Sequence, residues 1–156
     1  MISVMFEKVS EEKLHIVHEI VSSNKKYNVL ENGNELRSNE ELKEEFLNSQ
    51  THSFFIKIED RYVGIVDYID ENPKDKYPWL GLLMIRGDEQ GKGYGKSAYQ
   101  LYENHVKETG RTAIRIGILR GNKQAKTFWE SRGFHYVETK PFKNGKQVDC
   151  YQKNIG

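Results

Sequence analysis

The chain has 156 residues, 37% hydrophobic and 30% charged, with a net charge of +1; one core fits that length, so a single domain over 1–156 is expected. The near-neutral balance excludes a general pull toward nucleic acid or a membrane surface, and the lone cysteine, Cys150, excludes an internal disulfide. No window is apolar enough for a membrane span or a secretory leader, so a cytoplasmic address is expected.

Residues 3–9 alternate well enough for a first strand. Ser10 then reads as an N-cap, with Glu11 and Glu12 in the first turn of a helix over 11–22 whose apolar stripe is Leu14, Val17 and Val21. The segment 22–38 is polar and reads as loop. Ser38 with Glu41 makes a capping-box signature for a helix over 39–49. Residues 53–59 and 62–69 read as a hairpin turning at Asp60-Arg61, and 71–78, with two prolines, as a turn. "WLGLLMI" (79–85) is a continuous apolar run, as expected of a buried central strand. A long helix follows from Tyr94 to Thr109, with Ala98, Leu101, Tyr102 and His105 on one side and Gly110 as its stop. Then come a strand over 112–119, a short helix over 122–132 closed by Gly133, and a last strand pair at 134–140 and 147–153. The order β-α-α-β-β-β-α-β-α-β-β is a mixed α/β (α+β) layout around one sheet.

The stretch "DEQGKGYGKSAYQLYE" (88–103) carries the strongest motif. Gly95-Lys96-Ser97 suggests a P-loop, but G-x-x-x-x-G-K-[ST] needs glycine where Gln90 stands. A dinucleotide fingerprint starting at Gly91 fails at Lys96. What fits is Q-x-x-G-x-G, met by Gln90, Gly93 and Gly95. Glycines allow close approach of backbone to a pyrophosphate, and the amides and dipole at the start of the helix favour its charge. Lys92 and Lys96 can add positive charge.

Further on, "NKQAKTFWESRGF" supplies a second motif in register: Asn122, Ala125, Phe128, Gly133 and Phe134. With this pair of motifs the chain resembles the GNAT superfamily of acetyl-CoA-dependent N-acetyltransferases, firmly over about residues 53–140. The resemblance implies a twisted sheet splayed after the fourth strand, with a V-shaped cleft for the pantetheine arm. It implies that the turn Gln90, Gly91, Lys92, Gly93, Tyr94, Gly95 and Lys96 holds the CoA pyrophosphate. Leu83, Met84 and Ile85 would pair their backbone with the pantetheine amides, and an amide there would stabilise the oxyanion. Asn122 would bond the pantetheine or the backbone near it, and Phe128 would pack beside the thiol.

The family usually has tyrosine after that phenylalanine, placed to protonate the departing thiolate; here it is Trp129. An indole N–H donates a hydrogen bond but is no acid near neutral pH. A thiolate of pKa about 8.5 leaves tolerably without help, and Tyr136 is a candidate substitute. The fourth strand also lacks the family's frequent glutamate. Asp67, inside an apolar strand pattern, is the candidate base; Asp70 and Glu71 read as solvated turn charges.

The His15/His18 pair, one turn apart, lacks a third ligand nearby, so a surface helix is expected and no metal. His105 and His135 read as isolated core or rim residues, Cys150 as a buried, inert thiol and Trp79 as core. Tyr27 and the segment around it follow the first helix, where the family often builds its acceptor pocket. The expected activity is transfer of acetyl from acetyl-CoA to a primary amine, small-molecule or peptide, by direct attack in a ternary complex. The alternative is a non-catalytic acyl-CoA-binding or regulatory module on the same fold. Homodimers are common in the family.

Overall fold

The computed structural model describes residues 3–34 and 36–156; Glu35, inside the segment read as loop, lies outside the described residues. The elements are β1 (Met5–Lys8), α1 (Leu14–Ser22), α2 (Lys25–Asn32), α3 (Asn39–Phe46), β2 (His52–Ile58), β3 (Arg61–Ile69), β4 (Trp79–Ile85), α4 (Tyr94–Glu108), β5 (Ala113–Leu119), α5 (Lys123–Ser131), β6 (His135–Pro141) and β7 (Gln147–Asn154). The strands form one sheet in the order β1-β2-β3-β4-β5-β7-β6. All neighbours are antiparallel except β4 and β5. Among the described residues no helix is long and apolar enough to cross a membrane.

Alternation along the strands builds a core on each face of the sheet. Phe55, Ile65 and Met84 face α1 and α3, meeting Val17, Ile20, Val21, Leu42 and Phe46. Ile56, Val66 and Leu80 face the other way and pack with Tyr99, Tyr102 and Val106 of α4, Ile114, Ile116 and Ile118 of β5, and Trp129 of α5. A buried polar cluster also fastens β7 to α4. Glu103 accepts from Tyr99 (2.8 Å) and Lys153 (2.7 Å), and Lys107 lies 3.1 Å away. Burial alone would raise the Glu103 carboxyl, but the bonds from Lys153, Tyr99 and Lys107 outweigh it and hold it at about 2.

Four local expectations are corrected. Ser10 is extended but its side chain caps nothing, and the chain enters α1 through a 3₁₀ turn at Glu11–Lys13. The polar segment 22–38 holds a helix, α2, ended by Gly33 in the left-handed conformation. Its composition reads as loop because tertiary contact stabilises it: Asn28 is fully buried and donates to the Val21 carbonyl (2.9 Å). The hairpin turns at residues 59–60, one residue earlier than expected. The buried stripe of α4 is Ala98, Tyr99, Tyr102, Glu103 and Val106, whereas Leu101 and His105 are exposed. The lysines of β7 and α4 make Glu103 an acceptable buried neighbour, which rotates the stripe away from the purely apolar one.

The capping box of α3 forms as the sequence indicates. The Glu41 N–H donates to Ser38 Oγ (3.2 Å), and the Ser38 N–H donates to Glu41 Oε1 (3.1 Å). Ser38→Ala should remove about 1 kcal/mol of stability and lower the melting midpoint by about 2–4 °C. Calorimetry measures this, and an unchanged midpoint would show that the box adds nothing here.

Candidate functional site

β4 and β5 pair only at Trp79–Arg115 and Leu80–Ile116. The next residue on each strand is a glycine, Gly81 and Gly117. The pairing ends there. Beyond it, β4 continues with β3 and β5 with β7. A cleft of about 970 Å³ opens on this edge, lined by β4, the glycine-rich turn, the α1–α2 junction, and residues of α2, α4 and α5. This is why 79–85 is not uniformly buried as its composition suggests. Leu80 and Met84 are buried, while Leu82, Leu83 and Ile85 keep exposed surface on the cleft.

The backbone of β4 is divided by its pleat. Met84 turns its carbonyl to β3, so closely that a Cβ at Gly64 would lie 2.4 Å from it, and the Arg86 N–H donates to Val63 (2.7 Å). By alternation, Leu83 and Ile85 direct theirs to the open edge. The Ile85 carbonyl is already engaged there by Asn24 Nδ2 (3.1 Å) and Gln90 Nε2 (3.1 Å). The free backbone groups are therefore the N–H and C=O of Leu83 and the N–H of Ile85. Met84 borders the cleft, but its peptide groups serve β3.

The turn after β4 ends at Gly93, whose φ of 85° is left-handed, and α4 starts at once. The first intrahelical bond runs from the Ser97 N–H to the Gly93 carbonyl (3.2 Å), so the N–H groups of Tyr94, Gly95 and Lys96 precede the helical ladder. They lie at the positive end of a 15-residue helix. Gly91, Gly93, Tyr94, Gly95 and Lys96 all line the cleft. Lys92 does not: Glu89 binds it at 3.3 Å and also holds Arg61 at 2.6 Å. Lys96 makes no ion pair among the described residues, and neither do Lys25, Lys26 and Lys123, which stand on the same cleft. Ser23, Asn24, Lys25 and Lys26 have no local signal in the sequence; the fold of α1 and α2 brings them here.

The remaining candidates fall into separate places. Asn122 lines the cleft and caps α5, accepting from the Ala125 N–H (3.1 Å). Phe128 rests against the start of α4, where a Cβ at Gly95 would lie 3.6 Å from its ring. Trp129 is 8% exposed and stacks edge-on with Tyr99, Phe128 and Phe134, at centroid distances of 5.5, 4.9 and 5.3 Å. Tyr136, the candidate substitute acid, is exposed on β6, bonds Thr139 (2.7 Å) and is not in the cleft wall. Its ring packs edge-on against Tyr151 (5.9 Å). Tyr27 and Leu30 of α2 do line the cleft, opposite Leu82. Burial, then the charge of Glu31, pushes the Tyr27 phenol well up, and burial also raises the nearby Glu45 carboxyl, against the pull of Arg37.

Asp67 is buried on β3, next to the cleft but not in its wall. Ser53 Oγ donates to its Oδ1 (2.7 Å), and Oδ2 would lie 3.8 Å from a Cβ at Gly81. Burial raises its carboxyl, with the Ser53 bond opposing. Asp70 pairs with His52 (2.9 Å) and Glu71 with Arg111 (3.1 Å) at the surface. Trp79 is only partly buried, its N–H bonded to Asp75 (2.8 Å). Cys150 is buried, and burial pushes its thiol up. His15, His18 and His135 are not brought to the cleft, and among the described residues no cluster of His, Cys, Asp and Glu is arranged to hold a metal ion.

The sequence matches the model of the acetyltransferase (GNAT) family over residues 15–134. The chain belongs to this family. Solved structures agree on the GNAT fold. An acetyltransferase from Thermus thermophilus superposes with a TM-score of 0.83 at 22% identity, covering 99% of this chain and 100% of that one. The acetyltransferase that modifies the N-terminal serine of ribosomal protein L7/L12 in Salmonella typhimurium gives 0.80 at 16% identity, covering 99% and 96%. Spermidine N-acetyltransferase from Vibrio cholerae, solved with CoA and spermine, gives 0.74 at 17% identity, covering 97% and 95%. No curated protein matches the sequence.

The aromatic contacts of Trp129 predict a packing role. Trp129→Ala should cost about 3–5 kcal/mol, read as a lower urea midpoint with an unchanged slope. A loss below about 1 kcal/mol would contradict that role.

Proposed function

We propose that the protein is an N-acetyltransferase that moves acetyl from acetyl-CoA to a primary amine by direct attack in a ternary complex. The observation that carries this is the open edge of β4 running into a helix N-terminus. It offers free peptide groups at Leu83 and Ile85 to an extended amide-bearing arm, and free amides at Tyr94, Gly95 and Lys96 to a pyrophosphate. Lys96 supplies positive charge at the same place. Tyr27, Leu30 and Leu82 form the acceptor end, with Glu31 and Glu45 close to Tyr27, an environment suited to a cationic amine.

The amine must lose its proton before it attacks, since an ordinary alkylamine has a pKa of about 10.4. Asp67 takes that proton through water over Gly81: burial makes its carboxyl more basic, and Ser53 fixes one oxygen while the other faces the glycine opening. The neutral amine attacks the thioester carbonyl carbon, and an N–H of Leu83 or Ile85 stabilises the oxyanion. Collapse breaks the C–S bond as the attacking nitrogen, cationic in the adduct, gives its proton to solvent water; the CoA thiolate released takes its proton from solvent. Trp129 shapes the thiol end and supplies no proton. Binding and orientation then account for most of the acceleration.

Acetyl-CoA with a panel of primary amines should yield free thiol in proportion to acetylated amine. Trp129→Tyr should retain CoA binding and hold or raise turnover, by up to about ten- to a hundredfold if leaving-group protonation is limiting, since a positioned general acid contributes about 10²–10⁴-fold. CoA binding with no transfer to any amine would favour the non-catalytic module.

Gly95→Ala tests the phosphate assignment separately. In the free protein the added methyl has room, its nearest contact being 3.6 Å. In the complex it would stand between backbone and pyrophosphate. CoA affinity by calorimetry should fall at least about tenfold, or about 1.4 kcal/mol, with the melting midpoint retained; unchanged affinity would remove the pyrophosphate from this turn.

A further inference from the structure

We propose that Asn24 is a positioning residue that holds the glycine-rich turn in its binding conformation through Gln90; this rests on the reading that the turn receives the CoA pyrophosphate. The Asn24 carboxamide joins three elements. Its Nδ2 donates to the Ile20 carbonyl at the end of α1 (3.0 Å) and to the Ile85 carbonyl at the end of β4 (3.1 Å). Its Oδ1 accepts from Gln90 Nε2 (2.9 Å), which also donates to Ile85 (3.1 Å). The preceding residue anchors the start of the same turn: the Gly87 N–H donates to Ser23 Oγ (2.9 Å), and a Cβ at Gly87 would lie 2.7 Å from the Ser23 carbonyl. Two adjacent residues at the α1–α2 junction thus hold both ends of the segment 87–90.

Beyond Gln90 the further ties are exposed ones, Lys92 to Glu89 (3.3 Å) and the Tyr94 hydroxyl, which accepts from Arg61 (3.2 Å). Gly91 has a φ of 80°, and a Cβ there would meet nothing within 4 Å. Glycine has the most backbone freedom to lose on ordering. A turn already held by Asn24 and Gln90 presents the amides of Tyr94, Gly95 and Lys96 without that loss at the moment of binding. The role of Gln90 changes accordingly: its side chain faces Asn24, and it acts by tethering the turn.

The test compares two acetyl donors, acetyl-CoA and S-acetylpantetheine, which lacks the pyrophosphate. Asn24→Ala and Gln90→Ala should each lower kcat/KM for acetyl-CoA by about tenfold, the scale of one or two lost hydrogen bonds, and leave kcat/KM for S-acetylpantetheine unchanged. The double variant should be no worse than the worse single one, because the two side chains act as a unit. Gln90 is exposed, so its variant keeps the test decisive should Asn24→Ala fail to fold. Equal losses with both donors, an unaffected Gln90→Ala, or additive losses would overturn the proposal. A wild-type protein that does not bind CoA at all would overturn the reading beneath it as well.

Discussion

The site depends on a failure of strand pairing. A parallel neighbour for β4 along its whole length would consume every peptide group on that edge and fill the space with side chains. Pairing instead stops after Leu80 and Ile116, and the next residue on each strand is a glycine, Gly81 and Gly117. From Gly117 on, β5 stays paired with β7 on one side while it separates from β4 on the other. Exposed hydrogen-bonding groups on an apolar strand are ordinarily a liability. Here they are enclosed in a cleft, where an extended ligand can satisfy them.

The cleft is bounded by parts of the chain far apart in sequence. The α1–α2 junction meets the end of β4 through Asn24, while the far end of α2 is held by the turn between β6 and β7. There Lys146 bonds the Leu30 carbonyl, and Lys143 lies 3.6 Å from Glu31. Helix α2 therefore lines the cleft and is fastened at both ends. Its Lys25, Lys26, Tyr27 and Leu30 all line the cleft.

Trp129 is part of an aromatic cluster that joins α4 and α5. Its ring sits among Tyr99, Phe128 and Phe134, and Tyr99 is itself held by Glu103. The cleft wall at Phe128 and Trp129 is thereby braced by α4, α5 and β7 together.

Periodicity and local capping chemistry determined much of this protein directly. The strands, α4, α5 and the capping box at Ser38 were legible because their signals lie within a few residues of one another, and so was the glycine turn at Gln90–Gly95. The α2 helix was not, because its few apolar side chains form no stripe of their own; burial of Asn28 and the β6–β7 turn stabilise it. Nor were the roles of Asn24, Lys25 and Lys26, the loss of Lys92 to Glu89, or the division of β4 into cleft-facing Leu83 and Ile85 and sheet-facing Met84. Those depend on which strand edge is left open and which distant segments line the cleft. These are matters of long-range pairing, and no local pattern of residues encodes them.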